Sequence, residues 1–406
     1  MKSLFRLFHI LSICLALSAC SSNDNETPPE TFKINGEIFA VDSSGNANDR
    51  IFGGDVIGGV FGGDVVISIN DEDYSVYASR GYAPFTFDTA LKSGESYTIS
   101  ISEQPESGYC RIDSGEEHGV IVKSDIERIS INCSFYSRGL LGVTEVSTSP
   151  FHTCVILNSQ VYCWGNNDRG LLDVPAGLIN PRKISTGWFH SCVLDDYGVT
   201  CWGEDGNESV TAIPANIQNP IELAVGTFKT CVIDDNGLQC WGSESSGNYP
   251  KDIKKPNNLV LNTGIACVLD DKKPVCWGSR PVPDSIISAD AIAIGPYHSC
   301  AIINGSVSCW GGDNSYGETD VPAELENVFA LSLGSFSTCA ITEQGVKCWG
   351  ASDIINTNDF EKILDTPTKI SISDLHGCAI DAQGLVCLGY SYTGASTIPD
   401  QAFLYP

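Results

Sequence analysis

From Gly139 onward, apolar residues fall into short alternating runs broken by Asp, Asn and Gly, and nowhere does the 3.6-residue period of an amphipathic helix develop. Short strands are predicted throughout. In the stretch Cys192-Val-Leu-Asp-Asp-Tyr-Gly-Val-Thr-Cys201, apolar flanks enclose Asp195 to Gly198, with Asp at the first turn position and Gly at the fourth, as a type I turn prefers. This is a hairpin. Asp234 to Gly237 and Asp381 to Gly384 keep the same turn, and Asn304-Gly305 supplies the favoured two-residue hairpin signal. A third strand precedes each hairpin, because the residue eight before its first cysteine is apolar every time: Val146, Ile184, Leu223, Leu259, Ile292, Leu331 and Ile370.

The hairpin returns seven times, always with two cysteines nine positions apart: Cys154 and Cys163, Cys192 and Cys201, Cys231 and Cys240, Cys267 and Cys276, Cys300 and Cys309, Cys339 and Cys348, Cys378 and Cys387. With the turn centred between them, each pair lies directly opposite, about 4.5 Å apart at Cα, within reach of a disulfide. Each copy is expected to staple its own hairpin, at roughly 2.7 kcal/mol per bridge on a chain-entropy estimate. A separation of nine lacks the short spacing of a zinc knuckle, so no metal is assigned.

Successive first cysteines are 38, 39, 36, 33, 39 and 39 residues apart, a period typical of solenoids and propellers. Glycines five before the first cysteine (Gly187, Gly226, Gly295, Gly334) mark a turn between the first strand and the hairpin. Prolines seventeen before it (Pro175, Pro214, Pro250, Pro283, Pro322) and eleven before it (Pro181, Pro220, Pro256, Pro367) place a connection or edge there. Units of three or four antiparallel strands without helix are propeller blades.

Upstream, residues 33–137 read as a small β-sandwich, with strand-like runs at Val65 to Ile69, Pro84 to Phe87, Tyr97 to Ser102 and Ile129 to Cys133. Its Cys110 and Cys133 are expected to bond to each other. The Phe85-Thr-Phe-Asp run, the Gly94-Glu-Ser-Tyr97 run and this cysteine pair resemble small immunoglobulin-like domains, so the region is read as a stalk. The near repeat Phe52-Gly-Gly-Asp-Val56 and Phe61-Gly-Gly-Asp-Val65 is read as two tight turns rather than a calcium loop.

The chain begins with a basic start (Lys2, Arg6) and an apolar run (Leu7 to Ala16), as an export signal does. Leu17-Ser18-Ala19-Cys20 resembles the bacterial lipobox, which implies cleavage before Cys20 and its lipidation; with Ser21 rather than Asp following, it implies an outer-membrane lipoprotein. Residues 1–20 are thus the signal with its lipidated cysteine, and 21–32, carrying a Pro-Pro pair, a flexible tether. Eighteen cysteines in regular spacing suit an oxidising compartment. Removing Lys2 and Arg6 with the signal takes the formal charge from −27 to −29, an acidic balance that repels phosphate backbones and argues against nucleic acid.

Gly-x-x-His-x-Cys, two apolar residues, a turn and then Cys-Trp-Gly resembles the repeats of the regulator of chromosome condensation family, over residues 138–406 and about two thirds of the chain. Cys-Trp-Gly stands at Cys163, Cys201, Cys240, Cys276, Cys309 and Cys348, while the seventh copy has Cys387-Leu388-Gly389 and the fourth has Pro274 in its return strand. The resemblance implies a seven-bladed propeller. Thr397 to Pro406 looks like the opening of an eighth repeat and is expected to complete the first blade. The nucleotide exchange and chromatin binding of the founding member do not carry over to an exported acidic chain. Its secreted relatives bind proteins, one of them inhibiting β-lactamases.

His152, His190, His298 and His376 all sit two before a first cysteine, a position filled elsewhere by Lys229, Ile265 and Ser337. Tolerance of isoleucine there favours a hydrogen bond to the next blade over a metal ring. Trp164 through Trp349 of the Cys-Trp-Gly series are read as packing between blades. The loops after Cys-Trp-Gly vary most, and repeat proteins place such variation on a binding face. The candidate residues are Asn166, Asn167, Asp168, Arg169, Glu204, Asp205, Asn207, Asp313, Asn314 and Tyr316. No catalytic motif or cofactor site is found. The expectation is a monomeric, all-β protein, a sandwich followed by a seven-bladed propeller, that displays a binding face for a protein or glycan and touches membrane only through Cys20. An inhibitor of a hydrolase, or a hydrolase or lyase acting on polysaccharide, is the alternative.

Overall fold

A computed structural model of the protein describes residues 31–41, 62–79, 81–92, 95–105, 108–112, 118–120, 126–204, 210–242, 249–351, 359–389 and 394–399. Cys20, nearly all of the tether and the Phe52–Phe61 part of the Gly-Gly-Asp repeat lie outside the described residues.

The N-terminal region forms two four-stranded sheets. One runs in the order Gly81–Lys92, Thr31–Val41, Ile126–Phe135, Gly108–Ile112, with its two central strands parallel. The other runs Glu72–Ser79, Gly62–Ile69, Ser96–Glu103, His118–Val120. Alternation along the strands buries Ile67, Ile69, Ile99 and Ile131. Cys110 is disulfide-bonded, and the backbone register sets it opposite Cys133, as expected.

Seven antiparallel sheets follow, and their first, inner strands touch in succession until that of blade seven meets that of blade one. The ring is closed. In blade one the strands are Val143–Thr148, His152–Leu157 and Gln160–Gly165. Blade two repeats them as Lys183–Thr186, His190–Asp195 and Gly198–Gly203. The invariant apolar position lies on each inner strand, and seven apolar clusters fill the seven junctions between blades. The indole of Trp202 from blade two, for instance, packs among Cys154, Ile156 and Val161 of blade one.

All seven hairpins are stapled as the spacing predicted, with Cα atoms 4.0–4.1 Å apart. The turns divide into two kinds. Asn158-Ser159, Asp271-Lys272 and Asn304-Gly305 hold both central residues at positive φ, whereas blades two, three, six and seven place a single glycine (Gly198, Gly237, Gly345, Gly384) there. Blade four thereby manages without a turn glycine. Its Pro274 faces Leu269 on the outermost strand of the blade, one residue past the closing pair Asp270 and Lys273. At that non-hydrogen-bonded position the missing N–H would point away from the sheet, so proline costs no ladder bond.

The strand that closes the ring is Ser137–Gly139, which adds to the outer strand of blade seven as its fourth member. Arg138 seals the joint: its guanidinium donates to both carboxylate oxygens of the buried Asp381 at 2.9 and 3.0 Å and to the carbonyl of Ile363 at 2.6 Å. Of the tail expected to complete the first blade, residues 400–406 lie outside the described residues. Its described residues form no strand. Instead, the carbonyl of Ala395 accepts bonds from Thr153 Oγ1 and Trp164 Nε1 of blade one, both at 2.9 Å.

Arg138→Met is expected to lower unfolding free energy by about 3 kcal/mol, since it strands a buried carboxylate. Urea denaturation followed by tryptophan fluorescence checks this, and an unchanged midpoint would mean the joint carries no weight.

Candidate functional site

Because Gly165 pairs with His152 and Gly203 with His190, the inner-to-middle turns and the loops after Cys-Trp-Gly emerge on the same end of the ring. That end is the candidate site, and its floor is set by three repeated contacts.

The first uses the histidines. His152 Nε2 meets Ser191 Oγ at 2.6 Å, His190 Nε2 meets Thr230 Oγ1 at 2.7 Å, His298 Nε2 meets Thr338 Oγ1 at 2.6 Å, and His376 Nε2 meets Thr153 Oγ1 at 2.7 Å. Each imidazole bonds the hydroxyl of the following blade, as the sequence reading favoured. Burial pushes His376 and His152 down to about 3, with the neighbouring His376 and His190 adding to the effect at His152. Burial, then the charge of Arg280, lowers His298 to about 4. The rings of His152, His298 and His376 are therefore neutral at neutral pH.

The second uses the indoles. Trp202, Trp241, Trp349 and Trp164 donate to the carbonyls of Leu171, Val210, Glu318 and Ala395, at 2.9, 3.0, 3.0 and 2.9 Å. Those four acceptors are at most 1% exposed, so the loops after blades one, two, five and seven are each pinned by the tryptophan of the next blade. After blade four the loop is shortest, and Trp310 Nε1 has no partner among the described residues. Arg280 occupies this junction instead, donating to the carbonyls of Pro296 and Gly295, both at 2.6 Å.

The third explains the glycines. A Cβ on Gly187 would stand 2.2 Å from the carbonyl oxygen of Gly226, and one on Gly295 would stand 2.4 Å from that of Gly334. Neither residue has the positive φ that demands glycine. They are small because the next blade's backbone presses on them.

On this floor stands an arc of aromatic residues that the sequence reading did not single out. The position three before each first cysteine is Phe151, Phe189, Phe228, Tyr297 and Phe336 in five blades, with Gly264 and Leu375 in the others. Phe189 and Phe228 stack at 4.7 Å, Trp188 meets Phe151 edge-on at 6.0 Å, and Tyr297 stacks on Phe336 at 5.0 Å. Phe228 and Tyr297 remain 44% and 51% exposed, enough to be met by another molecule. The signal lay in plain view at a fixed offset, masked because one such residue per repeat reads as core.

Of the candidate loop residues, the structure brings Arg169 over the ring of Phe189 at 4.6 Å and into an ion pair with Glu204. Tyr316 leans on Phe336 at 4.9 Å and is 54% exposed. Asn167 and Asn314 are spent on their own loops: each side chain accepts from the backbone N–H five residues on and donates to Asp173 or Asp320. Asn166 and Asp168 likewise bond each other, and Asp313 accepts from the N–H of Ser315. Asp205 and Asn207 lie outside the described residues. Among the described residues, no group of three or more His, Cys, Asp or Glu is placed to hold a metal.

The family model of the regulator of chromosome condensation (RCC1) repeat matches residues 143–171, which are the first blade and its loop. Among solved structures, the chain is similar to the CRINKLY WD40 ectodomain of the receptor kinase ACR4 from Arabidopsis thaliana, at 22% identity and a TM-score of 0.50, covering 65% of this chain and 98% of that one. It is also similar to the entire ectodomain of the receptor kinase CR4 from Physcomitrella patens, at 21% identity and a TM-score of 0.50, covering 61% and 74%. Prp20p from Saccharomyces cerevisiae matches at 16% identity and a TM-score of 0.49, covering 74% and 93%. No curated protein sequence matches the chain. At such identities the likeness is one of fold, and the propeller is a ring of RCC1-like repeats.

The histidines make this ring acid-labile. An unfolded chain takes up protons below about pH 6.5, whereas the folded rings resist until about 3 to 4. Their contribution is complete above pH 6.5 and is lost as pH falls towards 4. Melting temperature measured across this window should drop, and His376→Gln should flatten the decline; an equal slope in the variant would assign the lability elsewhere.

Proposed function

We propose that the protein is a binding protein, and that the aromatic end of its propeller engages another protein. The observation that carries this reading is the arc Phe151, Trp188, Phe189 and Phe228, partly exposed rings that meet edge-on or stacked, with Arg169 over Phe189. Aromatic and arginine side chains on rigid supports are what protein interfaces concentrate at their centres. The support here is rigid, since indole and imidazole bonds lock the loops and turns to the next blade.

An enzyme acting on polysaccharide would call for paired carboxylates in the central channel. The channel's described carboxylates do not converge. Glu145 and Glu222 are ion-paired to Lys369 and Lys183, while Asp374 stands five residues beyond Lys369 of that lower ring, past the end of the inner strand Lys369–Ile372 and towards the other end of the channel. The geometry favours recognition over turnover.

We further propose that the chain is held to the outer membrane by lipid on Cys20, the sandwich acting as a stalk. Support comes from the lipobox-like Leu17-Ser18-Ala19-Cys20 and from oxidised hairpins that suit an exported protein. Radiolabelled palmitate fed to the producing cells is expected to label the wild type and spare Cys20→Ser.

The double variant Phe189→Ala/Phe228→Ala is expected to lose at least tenfold in affinity for an envelope protein retained by the wild-type chain. Asp196→Asn, on the opposite end, should bind normally. Loss of glycan rather than protein binding in the double variant would transfer the site to a sugar ligand, and full retention would remove it from this face.

A further inference from the structure

The central channel carries a second recognition element, and its character comes from comparing its two ends. At the lower end, the position nine before each first cysteine is Glu145, Lys183, Glu222, Asn258, Ala291, Ala330 and Lys369. Every charge in that ring is matched by the adjoining blade: Lys369 pairs with Glu145, and Lys183 with Glu222 at 3.5 Å. Between the ends, Ser147, Ser185, Ser332 and Ser371 accept the backbone N–H of Thr186, Val225, Ile372 and Thr148 in the next blade, at 2.8–3.0 Å. The channel wall is therefore satisfied from blade to blade.

The upper mouth is different. Its ring, four before each first cysteine, holds one carboxylate, Asp374, among Pro150, Trp188, Thr227, Thr263, Pro296 and Ser335. Asp374 receives the hydroxyl of Ser335 at 2.6 Å, and none of the ion pairs among the described residues involves it. Burial pushes its carboxyl above the usual range, as expected for a half-enclosed anion without a counter-ion. Asp374 and Trp188, two blades apart around the ring, both line the upper end of a channel cavity of about 280 Å³. That is somewhat below the ~300–1,000 Å³ of sites for drug-sized ligands, and suits a single side chain.

Resting on the reading of this end as a protein-binding face, we infer that the channel mouth is the socket for one lysine or arginine side chain of the partner. The carboxylate of Asp374 would take its charge, the indole of Trp188 would flank it, and the aromatic arc would receive the residues around it. Charge complementarity points the same way. The exposed loop residues on this end include Asp168 and Asp313, whereas Arg169 is paired with Glu204 and Arg280 is turned onto backbone carbonyls. A chain of formal charge −27 draws basic surfaces towards it.

The test is selection from a random-peptide display library on the full chain, on Asp374→Asn and on Phe189→Ala/Phe228→Ala. Wild-type selection is expected to enrich one fixed basic position flanked by apolar residues. Synthetic peptides from that pool should bind the wild type at least tenfold more tightly than Asp374→Asn, and norleucine in place of the basic residue should lose tenfold on the wild type and nothing on the variant. Enrichment without a recurring basic residue, or an equal loss on both chains, overturns the socket. Should Asp374→Asn fail to fold, the norleucine comparison on the wild type still decides. The broader reading fails separately, when peptides bind Phe189→Ala/Phe228→Ala as well as the wild type.

Discussion

The ring depends on the junction of blades seven and one, where Arg138 on a three-residue strand reaches the buried carboxylate of Asp381 and Ala395 takes the indole of Trp164. A row of blades has two ends, each with an unpaired strand edge and an uncovered apolar face. Joining the ends removes both at once. Two segments share the work: the linker entering the propeller supplies a strand to blade seven, and the chain leaving it covers blade one. Either alone would leave one blade incomplete.

Within the ring, forces are layered by radius. Near the axis, serine hydroxyls and ion pairs tie inner strand to inner strand. In the middle lie imidazole-to-hydroxyl bonds and the seven apolar clusters. Further out, a disulfide holds the last strand of each hairpin to the one before it. The seven small clusters also explain why blades of 33 and 39 residues coexist, since each junction is filled locally and a short connection alters only its own contacts.

Much of this was legible in the residues. The cysteine spacing specified the staple, the apolar residue eight positions earlier specified the inner strand, and the seven copies specified the ring. What escaped were contacts between blades. Gly187 looked like a turn glycine, but the carbonyl of Gly226, thirty-nine residues later, is what excludes a side chain. Ser137–Gly139 carries no strand signature at three residues, and pairs with blade seven because that is where the ring comes round. Phe189 and Phe228 gain meaning by stacking on each other, a relation that depends on the angle between adjacent blades. The Asn166 to Asp168 turn was polar enough to resemble a ligand loop, yet its groups serve the loop itself.

The position of the closing strand also orders the birth of the molecule. Ser137–Gly139 leaves the ribosome ahead of every blade and finds its partner only when Leu385 to Cys387 arrive, some 250 residues later. Each disulfide, by contrast, joins residues nine apart and can form as soon as its own hairpin emerges. The blades mature one at a time, while the molecule keeps an open edge until its last hairpin is in place. A chain interrupted before blade seven is left with well-made, oxidised parts and an unpaired strand at either end, ready to join a second copy.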